Sequence, residues 1–383
     1  MTLLVPSIGN FSVLEYDETT GAFIRAAVSG VNASSVIIGL DGNLLVADSA
    51  NNQVKRYDRR TGAFMGVLAS TNLVGPAAMT IHGGALYVVN NYPPHQTVQR
   101  FDATTGANTG QFVPSLPFNP YPRDVKVNPA NNRLYVLYYD YSTVEMFDLS
   151  TMASLGLLLP VGGSGGLYTP FQMTFGPDGN LYITGGTFGG NLGVRRFDPT
   201  TGAFIDFFAN TGGDEHVPTG VAFGPDNNLY VSTTSNDVMR FNYPSGTFRD
   251  FFIPSGSGGL TRPWSLTFAP DLRYTLHRDC LNDVVDAGLS WQIEGGKVFE
   301  NGTHVADYSS VKRVSCGTTS QNTAQLWVTL FYIGKTPPEN MTLHGAHDFR
   351  SGGEIGSVSA ASLAFSGFIG RQFKRVANTL TIG

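Results

Sequence analysis

Two alternating turn motifs constrain this chain more than any other feature. An aromatic residue followed by Asp or Asn recurs six times, at Tyr16-Asp17, Tyr57-Asp58, Phe101-Asp102, Phe147-Asp148, Phe197-Asp198 and Phe241-Asn242. Most copies run on into a glycine turn, as in Thr20-Gly21-Ala22-Phe23, Thr61-Gly62-Ala63-Phe64 and Thr201-Gly202-Ala203-Phe204. Successive copies lie 41, 44, 46, 50 and 44 residues apart, which is the length of a four-stranded propeller blade. Between them sits a second turn leading into an apolar strand: Asp41-Gly42-Asn43, Asp178-Gly179-Asn180 and Asp226-Asn227-Asn228. With the strands of a blade lettered a to d from the axis outward, this second turn joins a to b, and the aromatic-Asp turn joins c to d.

Residues 3–17 align without a gap on residues 44–58, so the N-terminus supplies strands b, c and d of a blade that lacks strand a. The expected donor is Trp264-Ser265-Leu266-Thr267-Phe268, after the last complete blade. Closure of this kind removes open sheet edges. The chain therefore reads as all-β, with a six-bladed β-propeller over residues 1–271. A smaller β-rich domain over 272–383, a barrel or sandwich, follows, with strand-like runs at Ala324 to Ile333 and Ala377 to Ile382. The paired motifs resemble the NHL-repeat class of propellers. That resemblance implies the frame and leaves the activity open, because one propeller frame carries binding, lyase, lactonase and scaffold roles.

Composition narrows the partners. With 14% charged residues and a net charge of -5, the chain offers no basic surface for nucleic acid or acidic lipid. No apolar stretch is long enough for a transmembrane helix. The sequons at Asn10, Asn32, Asn301 and Asn340, with the two cysteines Cys280 and Cys316, suit a secreted glycoprotein with one disulfide. The first residues lack the basic and long apolar regions of a signal peptide. The C-terminal domain is a candidate for oligomer contacts.

Both regular turns fall on one face of the disc, so the d-to-a and b-to-c loops share the other, where a rigid scaffold usually carries function. Prolines at 76, 122, 170, 218 and 263 align the inner strands, which places Ser34, Ala77, Arg123, Phe171, Thr219 and Trp264 in one row at the channel mouth. The next row is Ser35, Ala78, Asp124, Gln172, Gly220 and Ser265. Tyr92, Tyr138, Tyr139, Tyr141, Tyr168 and Phe188 from nearby loops join Phe171 and Trp264 in an aromatic bowl, the composition of a pocket for a small apolar or aromatic substrate. Arg123, Gln172 and His216 are its candidate catalytic groups, placed to hydrogen-bond developing charge.

Other chemistries find less support. The inner rows hold a single carboxylate, Asp124, whereas a hard cation wants several oxygens, so neither metal nor cofactor is expected. His344 and His347 fall on opposite faces of a strand. The glycine-rich loops, Gly162-Gly163-Ser164-Gly165-Gly166 among them, do not lead from a strand into a helix, so neither a nucleophile elbow nor a phosphate cradle is expected.

The overall design, a 383-residue propeller with a β-rich extension and an aromatic, charge-poor face, resembles the fungal hetero-Diels-Alderases of tropolonic sesquiterpenoid biosynthesis. The resemblance is one of design, so no residue is carried over. It implies a cofactor-free pericyclase of secondary metabolism, acting on an apolar polyunsaturated substrate of the kind formed from a tropolone quinone methide and a humulene-type polyene. Two other classes stand beside it: a non-catalytic propeller that binds a glycan, peptide or metabolite, and a metal-dependent lactonase-type hydrolase.

Overall fold

The computed structural model describes residues 2–269, apart from 94–95, 115, 117–119, 129–130 and 187–189, together with the backbone of several C-terminal strands. The chain divides into two compact units, Met1–Ala269 and Pro270–Gly383. The first is a propeller of six four-stranded antiparallel sheets. Blade 1 takes strand a from Thr267–Ala269 and strands b to d from Thr2–Ser7, Ser12–Asp17 and Phe23–Ser29. Blades 2 to 6 span residues 33–69, 76–112, 122–157, 173–210 and 218–253, each in the order a-b-c-d.

Closure follows the sequence expectation. Leu3 pairs with Phe268 and Leu4 with Thr267, and a further bridge links Ser7 to Pro263. Ser7 Oγ donates to Thr261 O at 3.0 Å and accepts from the Thr261 N–H at 2.9 Å, while the Tyr16 hydroxyl donates to Ser257 O at 2.7 Å. The ends of the propeller chain are thus held by ladder and side-chain bonds that no local segment can form alone.

Blades pack face to face, so each strand b is covered on both sides and reads as a largely apolar run, as in Leu44–Asp48 and Ala85–Asn90. Leu44–Asp48 is buried at every position. The seam between blades 1 and 2 is filled by Leu4, Val13, Val28, Val36, Val46 and Tyr57. The outermost strands are largely solvent-facing at their starts, as in Phe23–Ser29 and Phe248–Ile253, and most become buried toward their ends.

The c-to-d turn explains its own motif. In blade 3 the Asp102 carboxylate accepts the N–H groups of Thr104 and Thr105 at 3.0 and 2.7 Å and the Thr105 hydroxyl at 2.9 Å. Gly106 closes the turn in the left-handed region, φ +72, where a Cβ would lie 1.7 Å from Leu68 O of blade 2. A Cβ added at the equivalent glycines Gly21, Gly202 and Gly246 would lie 1.9, 2.0 and 1.8 Å from the carbonyl oxygens of Phe252, Leu158 and Phe208. The glycine is therefore a contact between blades as well as a turn residue. Blade 4 departs from the pattern: Met152 holds the left-handed conformation, φ 59, and packs toward Gly110 of blade 3, whose added Cβ would meet Met152 Cε at 3.0 Å.

These turns carry an acid sensitivity. Backbone N–H groups three residues on hold Asp17, Asp102 and Asp198 below the ordinary carboxylate range, and the Ser150 hydroxyl leads the donors that bring Asp148 down to about 2. A depressed carboxyl adds stability that is present above its unfolded value, about 3.9, and lost as pH falls through the folded value. The melting temperature is expected to drop between about pH 4 and pH 2. Asp148→Asn, which keeps the acceptor oxygen but cannot titrate, should flatten that slope in a series of thermal melts; an unchanged slope would mean that other groups govern acid unfolding.

In the second unit, Ser310–Thr318, Ala324–Tyr332, Ile369–Val376 and Thr379–Ile382 form an antiparallel sheet in that order. Trp291–Glu294, Lys297–Glu300 and Thr303–Asp307 form another, and Thr342–His344 pairs with Ser357–Ser359. Phe188, Cys280, Asn301, Asn340 and His347 lie outside the described residues, and so does the proposed Cys280–Cys316 disulfide.

Candidate functional site

The aligned inner strands bring the expected rows to the channel, and the structure then separates them into two kinds of residue. One kind turns into the seams and clips neighbouring blades. Ser34 Oγ donates to Pro76 O at 2.5 Å, from blade 2 to blade 3. Asp124, fully buried, accepts the Met173 N–H at 2.8 Å and the Lys126 ammonium at 2.8 Å, tying blade 4 to blade 5. Gln172 Oε1 accepts from the Val221 N–H at 3.4 Å, and Thr219 Oγ1 donates to Pro263 O at 2.8 Å. A polar side chain here sits one strand from a backbone group that would otherwise be unpaired, so the seam captures it.

The other kind converges over the axis. The Arg123 guanidinium lies 4.4 Å from the Trp264 ring centroid, 5.0 Å from Phe171 and 5.6 Å from Tyr139. Phe171 meets Trp264 edge-on at 6.0 Å and Tyr139 at 5.6 Å. Arg123 belongs to blade 4, Phe171 to blade 5 and Trp264 to the closing strand region of blade 1. Blades 4 and 1 are opposite in a ring of six, so the arginine reaches across the channel. The expected bowl is in this respect a plug, with a cation at its centre and aromatic faces and edges around it, an arrangement that attracts the guanidinium through the ring quadrupoles.

The charge at the centre is sparsely compensated. Arg123 Nε is buried without a hydrogen-bond partner, and among the described residues no carboxylate forms an ion pair with this side chain. Burial pushes its proton affinity down; Tyr121, Tyr139, Tyr92 and the exposed Asp140 act in the opposite direction. Tyr121 is raised, first by burial and next by Tyr92, against the lowering influence of Arg123. Its ring stands 6.2 Å from that of Tyr92, and its carbonyl accepts the Tyr139 N–H at 2.9 Å.

The remaining expected residues divide. Tyr92 is 49% exposed at the rim, and Tyr168 is 51% exposed. Tyr141 is half-buried against the core between blades 3 and 4. Tyr138 is 1% exposed in that same core, and its hydroxyl donates to Glu145 at 3.1 Å. It therefore lines a seam rather than the mouth: neighbours on a strand point to opposite faces, and Tyr139 is the one turned to the channel. Gln172 is likewise a seam residue. His216 is placed with Asp237, Oδ2 at 3.2 Å from Nδ1, with Thr233 Oγ1 at 3.4 Å and with the Phe251 ring at 5.6 Å, none of which belongs to the Arg123 group. Asn10 is exposed and donates to Gly259 O at 2.6 Å, and Asn32 accepts from Ser49 Oγ at 3.2 Å.

Tyr121 is the residue at this mouth that no sequence motif marks. It stands immediately before Pro122, one step above the aligned row. The proline spacing that located Arg123 also locates this position, which is Gly75, Thr169, Val217 and Arg262 in other blades. Among the described residues, no three His, Cys, Asp or Glu side chains gather as a metal site.

The chain matches no protein family and no curated protein sequence. Among solved structures it is similar to a chain of a nidogen/laminin complex, with a TM-score of 0.55, 15% identity, and 70% of this chain and 98% of that one covered. A chain of Kuenenia stuttgartiensis hydrazine synthase aligns with a TM-score of 0.48 and 16% identity over 61% of this chain and 70% of that one. The first likeness is one of fold, the β-propeller.

Proposed function

We propose that the variable face of the propeller is a small-molecule site centred on Arg123, Tyr139, Phe171 and Trp264, with Tyr121 and Tyr92 at its rim. It holds a flat, polyunsaturated substrate for cofactor-free cycloaddition of the hetero-Diels-Alder type. The observation that carries this reading is the guanidinium held among three rings with a buried, unpartnered Nε. The rings supply contact area for a conjugated body, and the arginine supplies a donor for an oxygen conjugated with the reacting π system.

Such a site suits a reaction that needs orientation more than functional groups. In a hetero-Diels-Alder step, π bonds are exchanged for a C–C and a C–O σ bond, and no atom, proton or electron is left over. Holding both partners in register removes most of the entropic part of the barrier. Hydrogen bonding to an oxygen that gains charge removes more, because a donor held among aromatic rings acts in a medium less polar than water. The resemblance in overall design to fungal hetero-Diels-Alderases supports the same reading.

The unused donors of Arg123 also favour a second reading, a binding propeller that retains a metabolite unchanged. One experiment separates the two. The protein is incubated with pairs of electron-poor heterodienes and cyclic polyenes, tryptophan emission is followed, and the mixture is weighed by mass spectrometry. An adduct with the summed mass of both partners, formed faster than in buffer, is the expected result. Quenching with the compounds recovered unaltered would leave only the binding propeller, and no response from any pair would remove the mouth as a small-molecule site.

A further inference from the structure

The arginines of the propeller differ in what their donors meet. Arg195 also stacks on a ring, Phe207 at 4.9 Å, but spends its donors on the carbonyls of Gly165, Gly185 and Asn191 at 2.9, 2.8 and 2.8 Å. Arg196 and Arg240 stack on aromatic rings and pair with Asp206 and Asp250 at 2.5 Å. Arg123 has the rings without the acceptors: its Nε is buried and unpartnered, and its acidic neighbour Asp140 is exposed and outside ion-pair distance. A guanidinium taken out of water needs an anion or several carbonyls to offset the loss of hydration. Here the rings compensate in part, and the planar fork remains available.

From this contrast we infer that the ligand of the site carries a planar carboxylate conjugated to its unsaturated body, with the carboxylate oxygens taken by the Arg123 fork and the body lying among the surrounding rings. The inference rests on the mouth being a small-molecule site, and adds the charge and geometry of the ligand. A planar anion with two oxygens matches a guanidinium bidentately, whereas a single neutral carbonyl leaves part of the fork unpaired. Among the described residues, Arg123 is the cation that stacks on Tyr139, Phe171 and Trp264, which makes it the determinant of that preference.

The test uses the full chain and two probes of equal shape, sorbate and its uncharged amide, in titration calorimetry. Sorbate is expected to bind on the order of tenfold or more tightly than the amide, with the gap narrowing at high salt. In Arg123→Gln the gap should collapse, and Arg123→Lys should recover only part of it because the fork is lost. Equal affinity for acid and amide in the unaltered protein would overturn the inference while leaving the site itself intact, and that comparison needs no variant to fold. A gap that persists in Arg123→Gln would overturn it too. Heat from neither probe, nor from uncharged dienes, would remove the site together with the inference.

Discussion

Substituting alanine for Gly106 is expected to destabilise the propeller by roughly 3 kcal/mol or more, a fall of about 6–12 °C in melting temperature. Two costs combine. An L-residue at φ +72 is strained, worth about 1 kcal/mol. The larger part is that the new Cβ would sit 1.7 Å from Leu68 O, a backbone atom of the neighbouring blade that can move only if the seam opens. Gly42→Ala is the matched control: its φ is +77, and nothing lies within 4 Å of the added Cβ. Its cost should stay near 1 kcal/mol. Equal losses in the two variants, measured by chemical denaturation, would mean that the motif glycine serves its turn and not the contact between blades.

Truncating Trp264 is expected to cost function far more than stability. The ring gives up one cation–π contact, at 4.4 Å from Arg123, and one edge-on contact with Phe171, together about 1–3 kcal/mol. Trp264 is only half-buried and lies where the chain closes the ring, so the blades keep their ladders. With the wall of the site gone and Arg123 free to swing, Trp264→Ala should lower kcat/KM for cycloaddition by about 100-fold, with Trp264→Phe intermediate. A collapse of the melting temperature with turnover per folded molecule unchanged would make the plug a structural element and move the site elsewhere.

How much of this was legible follows from the range of each interaction. The turns are local: Asp102 reaches N–H groups two and three residues on, so their chemistry is written in consecutive residues, and the spacing of the copies gives blade length, number and closure. Prolines at the starts of inner strands set a common register, which is why Arg123, Phe171 and Trp264 could be placed in one row without coordinates. The exception at Met152 was visible only as a missing glycine, and its compensation by Gly110 lies in the adjacent blade.

Within the row, sequence order cannot say which side chains meet. Ser34 and Thr219 turn outward because carbonyls of the next blade are within reach, and Gln172 follows them into the seam. Tyr138 and Tyr139 are chemically alike, and only the packing of blades 3 and 4 decides which of the two is core and which faces the channel. His216 pairs with Asp237, a residue of the b-to-c loop of the blade it leads into. The repeat and its spacing determined the six-bladed frame by themselves, since each turn is stabilised within its own few residues. The contact of Arg123 with a ring from the opposite blade was decided by tertiary structure alone, because it exists only once six separately specified sheets have closed around one axis.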